Sequence, residues 1–363
     1  MKRCIMRLAA TFMIVLYLTG AAMAIDKKIV IAHRGACGYL PEHSLAAKAM
    51  AYGMGADYIE QDLVMTMDNR LVVLHDHYLD RVTNVAEIYP DRKRDDGRYY
   101  VIDFTLDEIR QLEMTEGFTV KDGKTVANFP ARFPIWHSAF RVSTFEEEIE
   151  MIQGMNKSTG RDVGIYPEIK SPWFHRHEGK DISKAALAVL KKYGYTTKSS
   201  KVWLQCFDPN ETERIHNELF KEAGITVRLV QLLAETDWNE TMVYEKSTAT
   251  PYSYDWMFEK GAMQKVAQYA DGVGPWKPMI VRNESERNKL VITDLVKEAH
   301  DAGMEVHPYT FRLDQGRIPQ YAASFEDMLD IFYYTVGVDG VFTDFPDRAV
   351  DFLRRAEGKR KGL

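Results

Sequence analysis

Tyr58-Ile59-Glu60-Gln61-Asp62-Leu63-Val64-Met65 has the aromatic and branched apolar residues of a β-strand, yet it carries two carboxylates. Glu60 and Asp62 stand two apart, so on a strand both side chains leave from the same face. Short β-type runs recur on either side. Lys28–Ala32 precedes it, and Gly164–Ile169, Val202–Cys206, Thr226–Leu233, Asp271–Pro275, Met304–Tyr309 and Asp339–Thr343 follow. Amphipathic stretches lie between them, among them Ser44–Met54, Ile182–Tyr193, Glu211–Ala223 and Ile292–Ala302. Such alternation predicts a parallel α/β sheet. Eight units predict a closed TIM (β/α)8 barrel over an open dinucleotide-binding sheet. His33-Arg34-Gly35-Ala36-Cys37-Gly38, after the first run, lacks the glycine spacing of a nicotinamide fingerprint.

One region interrupts the alternation. From Arg81 to about Thr144 the chain is polar and charged, with Asp95-Asp96-Gly97, Lys121-Asp122-Gly123 and several prolines. A connection this long predicts a small insertion after the second strand, above the barrel mouth, serving as a lid or as a solvated excursion. The other end of the reading is the N-terminus. Lys2, Arg3 and Arg7, the apolar run Leu8–Leu18 and the small-x-small triplet Ala22-Met23-Ala24 predict a signal peptide over residues 1–24. The apolar run is shorter than the ~20 residues that span a bilayer. The barrel then occupies residues 25–363 of an exported chain, with no stable membrane insertion. The full chain carries a net charge of −6, and losing the leader removes basic residues only. An acidic protein is poorly suited to gripping nucleic acid or an anionic membrane. Cys37 and Cys206 are expected as unpaired thiols, and oligomeric state stays open between monomer and homodimer.

The polar residues fall where a barrel keeps its active site, at the C-terminal ends of strands. His33 and Arg34 follow the first run, and Glu60 and Asp62 lie in the second. Glu168 and Lys170 close the third, again two apart. Gln205, His307 and Asp344 end the fourth, seventh and eighth. Carboxylates turned into a barrel are costly unless paired or bound to a cation. The convergence of Glu60, Asp62 and Glu168 therefore predicts a divalent metal, and all-oxygen ligands favour Ca²⁺ or Mg²⁺. An internal ion-pair network with Lys170 and Arg34 is the competing reading. His33 and His75, at the ends of apolar runs, suit general acid–base work on a phosphate ester. Arg34 and Lys170 suit its anionic oxygens. His43, His77, His137, His175, His177, His216 and His300 read as surface or structural residues, with His77 close enough to His75 to support it. Phe207 and Tyr309 are candidate pocket walls.

Taken in order, His33-Arg34-Gly35, Pro41-Glu42-His43-Ser44, Glu60-Gln61-Asp62, His75-Asp76 and Pro167-Glu168-Ile169-Lys170 resemble the glycerophosphodiester phosphodiesterases. Gln205-Cys206-Phe207, His307-Pro308-Tyr309-Thr310 and Phe342-Thr343-Asp344-Phe345-Pro346-Asp347 resemble their bacterial periplasmic branch. The likeness runs from about Lys28 to Phe352. It implies hydrolysis of glycerophosphodiesters such as glycerophosphocholine and glycerophosphoethanolamine to sn-glycerol 3-phosphate and an alcohol. By position it implies Glu60, Asp62 and Glu168 as ligands of Ca²⁺ (or Mg²⁺), His33 and His75 as the acid–base pair, and Arg34 and Lys170 as phosphate binders. His43 and Ser44 stand where many members carry Asn and Thr, outside the metal and acid–base positions. A secreted binding protein with no catalysis and a phospholipase D-like toxin are the alternatives. The first would be free to lose His33 or His75, and the second needs an apolar, membrane-facing mouth.

Overall fold

The computed structural model describes residues 27–245 and 248–360, so the predicted leader over residues 1–24 lies outside the described residues. Eight parallel strands form a ring: β1 (Ile29–Ala32), β2 (Tyr58–Met65), β3 (Gly164–Ile169), β4 (Trp203–Cys206), β5 (Arg228–Leu232), β6 (Gly272–Gly274), β7 (Glu305–Val306) and β8 (Gly340–Thr343). Each of the first six pairs with the next, and β8 returns to β1 with Ile29 opposite Gly340 and Ala32 opposite Thr343. Between β7 and β8 the ring closes through single backbone bonds. Asp339 N–H donates to Val306 O at 3.1 Å, Phe342 N–H to Pro308 O at 3.0 Å and Phe311 N–H to Phe342 O at 2.8 Å. This is the predicted α/β barrel.

Helices form where the patterning and caps demand them. Leu45–Met54 starts at Ser44, whose hydroxyl accepts from Ala47 N–H, and stops at Gly55 with φ +97°. Phe145–Thr159 opens with a reciprocal capping box between Thr144 and Glu147. Apolar faces of these helices and the outer face of the ring bury two large clusters, one containing Ile59, Ile149 and Leu187, the other Val273, Val341 and Phe332. Inside the ring a smaller cluster of Ile31, Tyr58, Tyr166, Trp203 and Phe342 makes a packed floor. Gly164 lets that floor form, because a Cβ there would lie 2.4 Å from the Tyr58 ring. His307 belongs to the floor. It is fully buried, 2.8 Å from the Tyr166 hydroxyl, and does not reach the mouth as its place after the seventh run suggests.

The excursion after β2 begins sooner than the composition change at Arg81. Leu71–Val73 folds back antiparallel on the end of β2, with Leu63 opposite Val73 and Met65 opposite Leu71. The chain then builds short helices at Val85–Ile88 and Leu106–Ile109 and a hairpin from Phe118–Lys121 and Lys124–Ala127. It owns an apolar core of Val82, Val101, Phe104, Ile109 and Leu112, packed on Val64 and Val72 of the extended hairpin. From this unit Arg132 reaches the barrel end and pairs with Asp344 at 2.5 Å and Asp314 at 2.7 Å.

Candidate active site

The i, i+2 pairs do what their spacing implies. β2 and β3 lie in register with Asp62 opposite Glu168, and Glu60 and Asp62 share a face. Oxygens of Glu60, Asp62 and Glu168 come within 4.8 Å of one another, and all three residues are buried. Arg34 sits in the left-handed region at φ +56°, followed by Gly35 at +92°, where a Cβ would lie 2.8 Å from the Ala47 backbone. That turn aims the Arg34 N–H at Glu60 Oε2, 2.8 Å away, while Gln205 Nε2 donates to Oε1 at 2.9 Å.

The competing reading, a self-sufficient ion-pair network, does not balance. Arg34 is shared between Glu42 at 2.8 Å and Asp62 at 3.6 Å. Lys170 is shared between Glu168 at 2.9 Å and Glu240 at 3.8 Å. Two permanent cations thus face five carboxylates, and Asp62 Oδ1 is buried with no hydrogen-bond partner. Burial and the neighbouring carboxylates push Glu60 well above the usual carboxyl range. Burial, opposed by Lys170, pushes Glu168 up to about 8. Glu60, Asp62 and Glu168 could hold a divalent cation, which would supply the missing charge, and all-oxygen donors suit a hard ion.

The two histidines are built alike. His33 Nδ1 lies 2.6 Å from Asp344 Oδ1, and Asp344 is held by Arg132 and by Arg312 at 2.8 Å. His75 Nδ1 lies 2.6 Å from Asp76 Oδ1, and Asp76 by Arg81 at 3.0 Å. The arginines and the imidazoles hold both aspartates below the usual range against the opposing effect of burial. An ionised aspartate only accepts, so each Nδ1 carries the proton and each Nε2 is left as the working atom. Burial, reinforced by Arg34, lowers His33 to about 4. The same causes lower His75.

Six of the seven predicted metal, histidine and phosphate residues line a cavity of about 270 Å³ at this mouth together with Phe207 and Tyr309, and the seventh, Lys170, lies behind Glu168 at 2.9 Å. Sequence reasoning missed the partners. Asp344 and Asp76 were visible only as polar residues in motifs, because nothing local says which histidine each will meet. His43, read as a surface or structural residue, is fully buried with Nε2 2.8 Å from Asp62 Oδ2. Its Nδ1 is 3.1 Å from Lys48 Nζ, which also donates to Glu60 O and pairs with Glu148 at 3.2 Å. His77, read as support for His75, instead stacks on Phe174 and meets Ser171 Oγ at 3.1 Å.

Residues 33–348 match the model of the glycerophosphoryl diester phosphodiesterase family. The chain belongs to this family. It is 56% identical over 329 residues to a glycerophosphodiester phosphodiesterase of Haemophilus influenzae, covering 90% of each chain. It is 44% identical over 330 residues to one of Treponema pallidum, covering 90% of this chain and 92% of the other. A solved structure from Silicibacter pomeroyi, a putative glycerophosphoryl diester phosphodiesterase, superposes with a TM-score of 0.62 at 24% identity, covering 91% and 94% of the two chains. A phosphodiesterase from Oleispira antarctica, solved with the product sn-glycerol-3-phosphate, superposes at 0.57 with 19% identity, covering 90% and 96%. The resemblance read from the motifs is thus family membership, and the chain is a phosphodiesterase on this barrel.

In this phosphodiesterase the Glu148–Lys48–His43–Asp62 chain runs from the helix layer to the carboxylate cluster without meeting solvent. Lys48→Met strands Glu148 as a buried charge and is expected to cost about 3–5 kcal/mol, seen as a lower urea midpoint. Lys48→Met with Glu148→Leu is expected to recover most of that loss. Equal losses in both variants would show that the ion pair itself, not the stranded charge, sets the stability.

Proposed function

We propose that this phosphodiesterase hydrolyses glycerophosphodiesters to sn-glycerol 3-phosphate and an alcohol, with His33 and His75 as its acid–base pair and a divalent cation, Ca²⁺ by preference, on Glu60, Asp62 and Glu168. The observation that carries it is the pair of His–Asp–Arg units on either side of a charge-deficient carboxylate cluster. The relatives' names and the product found in the Oleispira antarctica structure support the choice of substrate.

Arg34 and Lys170 bind the phosphodiester oxygens, Arg34 with a planar fork suited to two at once. His33, kept neutral by burial, takes the proton from the attacking oxygen, and Asp344 steadies the imidazolium that forms. His75, protonated for this step and braced at Nδ1 by the ionised Asp76, gives a proton to the leaving alcohol oxygen from Nε2. The P–O bond to the alcohol breaks as the new P–O bond forms, and the two histidines then hold each other's starting proton state until water restores it. The attacking oxygen is either the glycerol 2-hydroxyl, giving a cyclic phosphate that water opens, or water itself. A 2-deoxy analogue cleaved at full rate excludes the first route. When bound, the cation supplies Lewis-acid neutralisation of the phosphoryl charge.

The deciding experiment measures release of glycerol 3-phosphate from glycerophosphocholine by purified protein with Ca²⁺, with Mg²⁺ and with chelator. Release that requires added cation supports the reading. A folded sample that releases none returns the binding-protein alternative. The cation must also displace the proton that Glu168 keeps below about pH 8. Ca²⁺ affinity is therefore expected to fall by at least about tenfold per unit as pH drops from about 8 to 6, measured by calorimetry. A flat profile would show the carboxylates already ionised without metal. Export to the periplasm, supported by the pattern of residues 1–24, completes the proposal.

A further inference from the structure

Two cavities leave the position of the phosphate, and both touch His33, Arg34, His75 and Arg312. The smaller, about 270 Å³, adds an aromatic wall that includes Phe207, Trp238 and Tyr309, and no further cation. The larger, about 460 Å³, lies between the insertion and the segment after β7 and adds Arg81, Arg132 and Arg317. A diester with its phosphate at the histidines places one of its two ends in each.

Charge in the larger cavity does not balance. Arg34 pairs with Glu42 at 2.8 Å and Arg81 with Asp76 at 3.0 Å. Arg132 pairs with Asp314 at 2.7 Å and shares Asp344 with Arg312. Arg317 is exposed and forms no ion pair with any described residue. Glu116 also lines the cavity, but burial and Glu42 push its carboxyl up to about 8, so at neutral pH it does not offset the arginines. It is 2% exposed, and its Oε2 has no hydrogen-bond partner. The surplus charge is held in place by Phe129. The guanidiniums of Arg132, Arg317 and Arg312 lie 3.8, 5.4 and 5.8 Å from the centre of that one ring. Phe129 thus orders Arg317 beside two other guanidiniums without spending a carboxylate on it, and its donors stay free for an incoming oxyanion. Glycerol is neutral and gains nothing from the surplus, whereas the alcohol end can bring a charge of its own.

We infer that the arginine-lined cavity takes the alcohol end of the substrate and selects alcohols that carry their own oxyanion, with Arg317 as the residue that reads it. This rests on the proposed hydrolysis of glycerophosphodiesters and adds which alcohols are favoured. Glycerophosphoserine and glycerophosphoethanolamine test it, because they differ by one carboxylate. The wild type is expected to favour the serine ester in kcat/KM by about tenfold, the contribution of one hydrogen bond to a charged group. Arg317→Gln is expected to cut that preference to about twofold or less, with an unchanged urea midpoint because the side chain is exposed. A second measurement needs no variant. The preference of the wild type is expected to shrink as ionic strength rises, since an exposed guanidinium is screened by salt. A wild type with no preference, a preference that survives Arg317→Gln, or one indifferent to salt overturns the assignment. A wild type that cleaves neither ester fails the proposed function instead.

Discussion

His33→Ala is expected to lower kcat for glycerol 3-phosphate release by about a thousandfold, within the range typical of a lost general base. The side chain is buried, its Nδ1 is engaged by Asp344, and its Nε2 is the free atom at the mouth, 3.9 Å from Glu60 Oε2. Alanine removes the proton acceptor and leaves Asp344 between Arg132 and Arg312, so the ionised carboxylate remains paired and the fold is expected to stand. Unchanged thermal unfolding with a collapsed kcat and a KM within a few-fold is the expected pattern. Asp344→Asn separates orientation from chemistry: the imidazole stays, but its tautomer is no longer fixed. Its loss is expected to be smaller than that of His33→Ala. A His33→Ala enzyme within tenfold of wild type would assign the base to another group.

Glu60→Gln is expected to remove most of the stabilisation by Ca²⁺ without weakening the metal-free protein. A carboxyl whose folded pKa is raised contributes stability at low pH and loses it as pH rises through the folded value. The ionised form of Glu60 therefore opposes folding, through burial and through Asp62 and Glu168. Glutamine removes that charge while its carbonyl can still accept from Arg34 N–H. The wild type is expected to gain about 2.7 kcal/mol when Ca²⁺ is at a hundred times its dissociation constant. The variant is expected to bind at least about a hundredfold more weakly and to gain no more than about 0.4 kcal/mol at the same Ca²⁺ concentration. Unfolding curves with and without Ca²⁺ read both quantities together. A variant that keeps the full Ca²⁺ shift would remove Glu60 from the ligand set.

The parts of this site that were legible in the sequence are those governed by short-range periodicity. Glu60 with Asp62, and Glu168 with Lys170, announce a shared face by being two apart on strands. His33 and Arg34 announce the rim by following an apolar run. What could not be read depends on closure of the ring. Asp344 meets His33 only because β8 pairs with β1. His43 is indistinguishable from a surface histidine until the helix carrying Lys48 is laid behind β2. The insertion's core was hidden because Val82, Val101, Phe104 and Ile109 follow neither a helical nor a strand period. They lie on short helical turns and loops, where composition signals only polarity. The aromatic wall was visible only in part, since Trp238 follows a loop whose path no periodicity predicts.

The bond between His33 and Asp344 joins residues 311 positions apart. Protein synthesis delivers a chain from its N-terminus, so His33 emerges first and Asp344 nearly last. Until β8 docks, His33 has no fixed tautomer and Arg132 lacks one of its two carboxylates. A chain cut short before Asp344 would carry Glu60, Asp62, Glu168 and both histidines and still leave His33 without its partner. The site is thereby timed: its His33–Asp344 pair is complete only once the final strand has arrived.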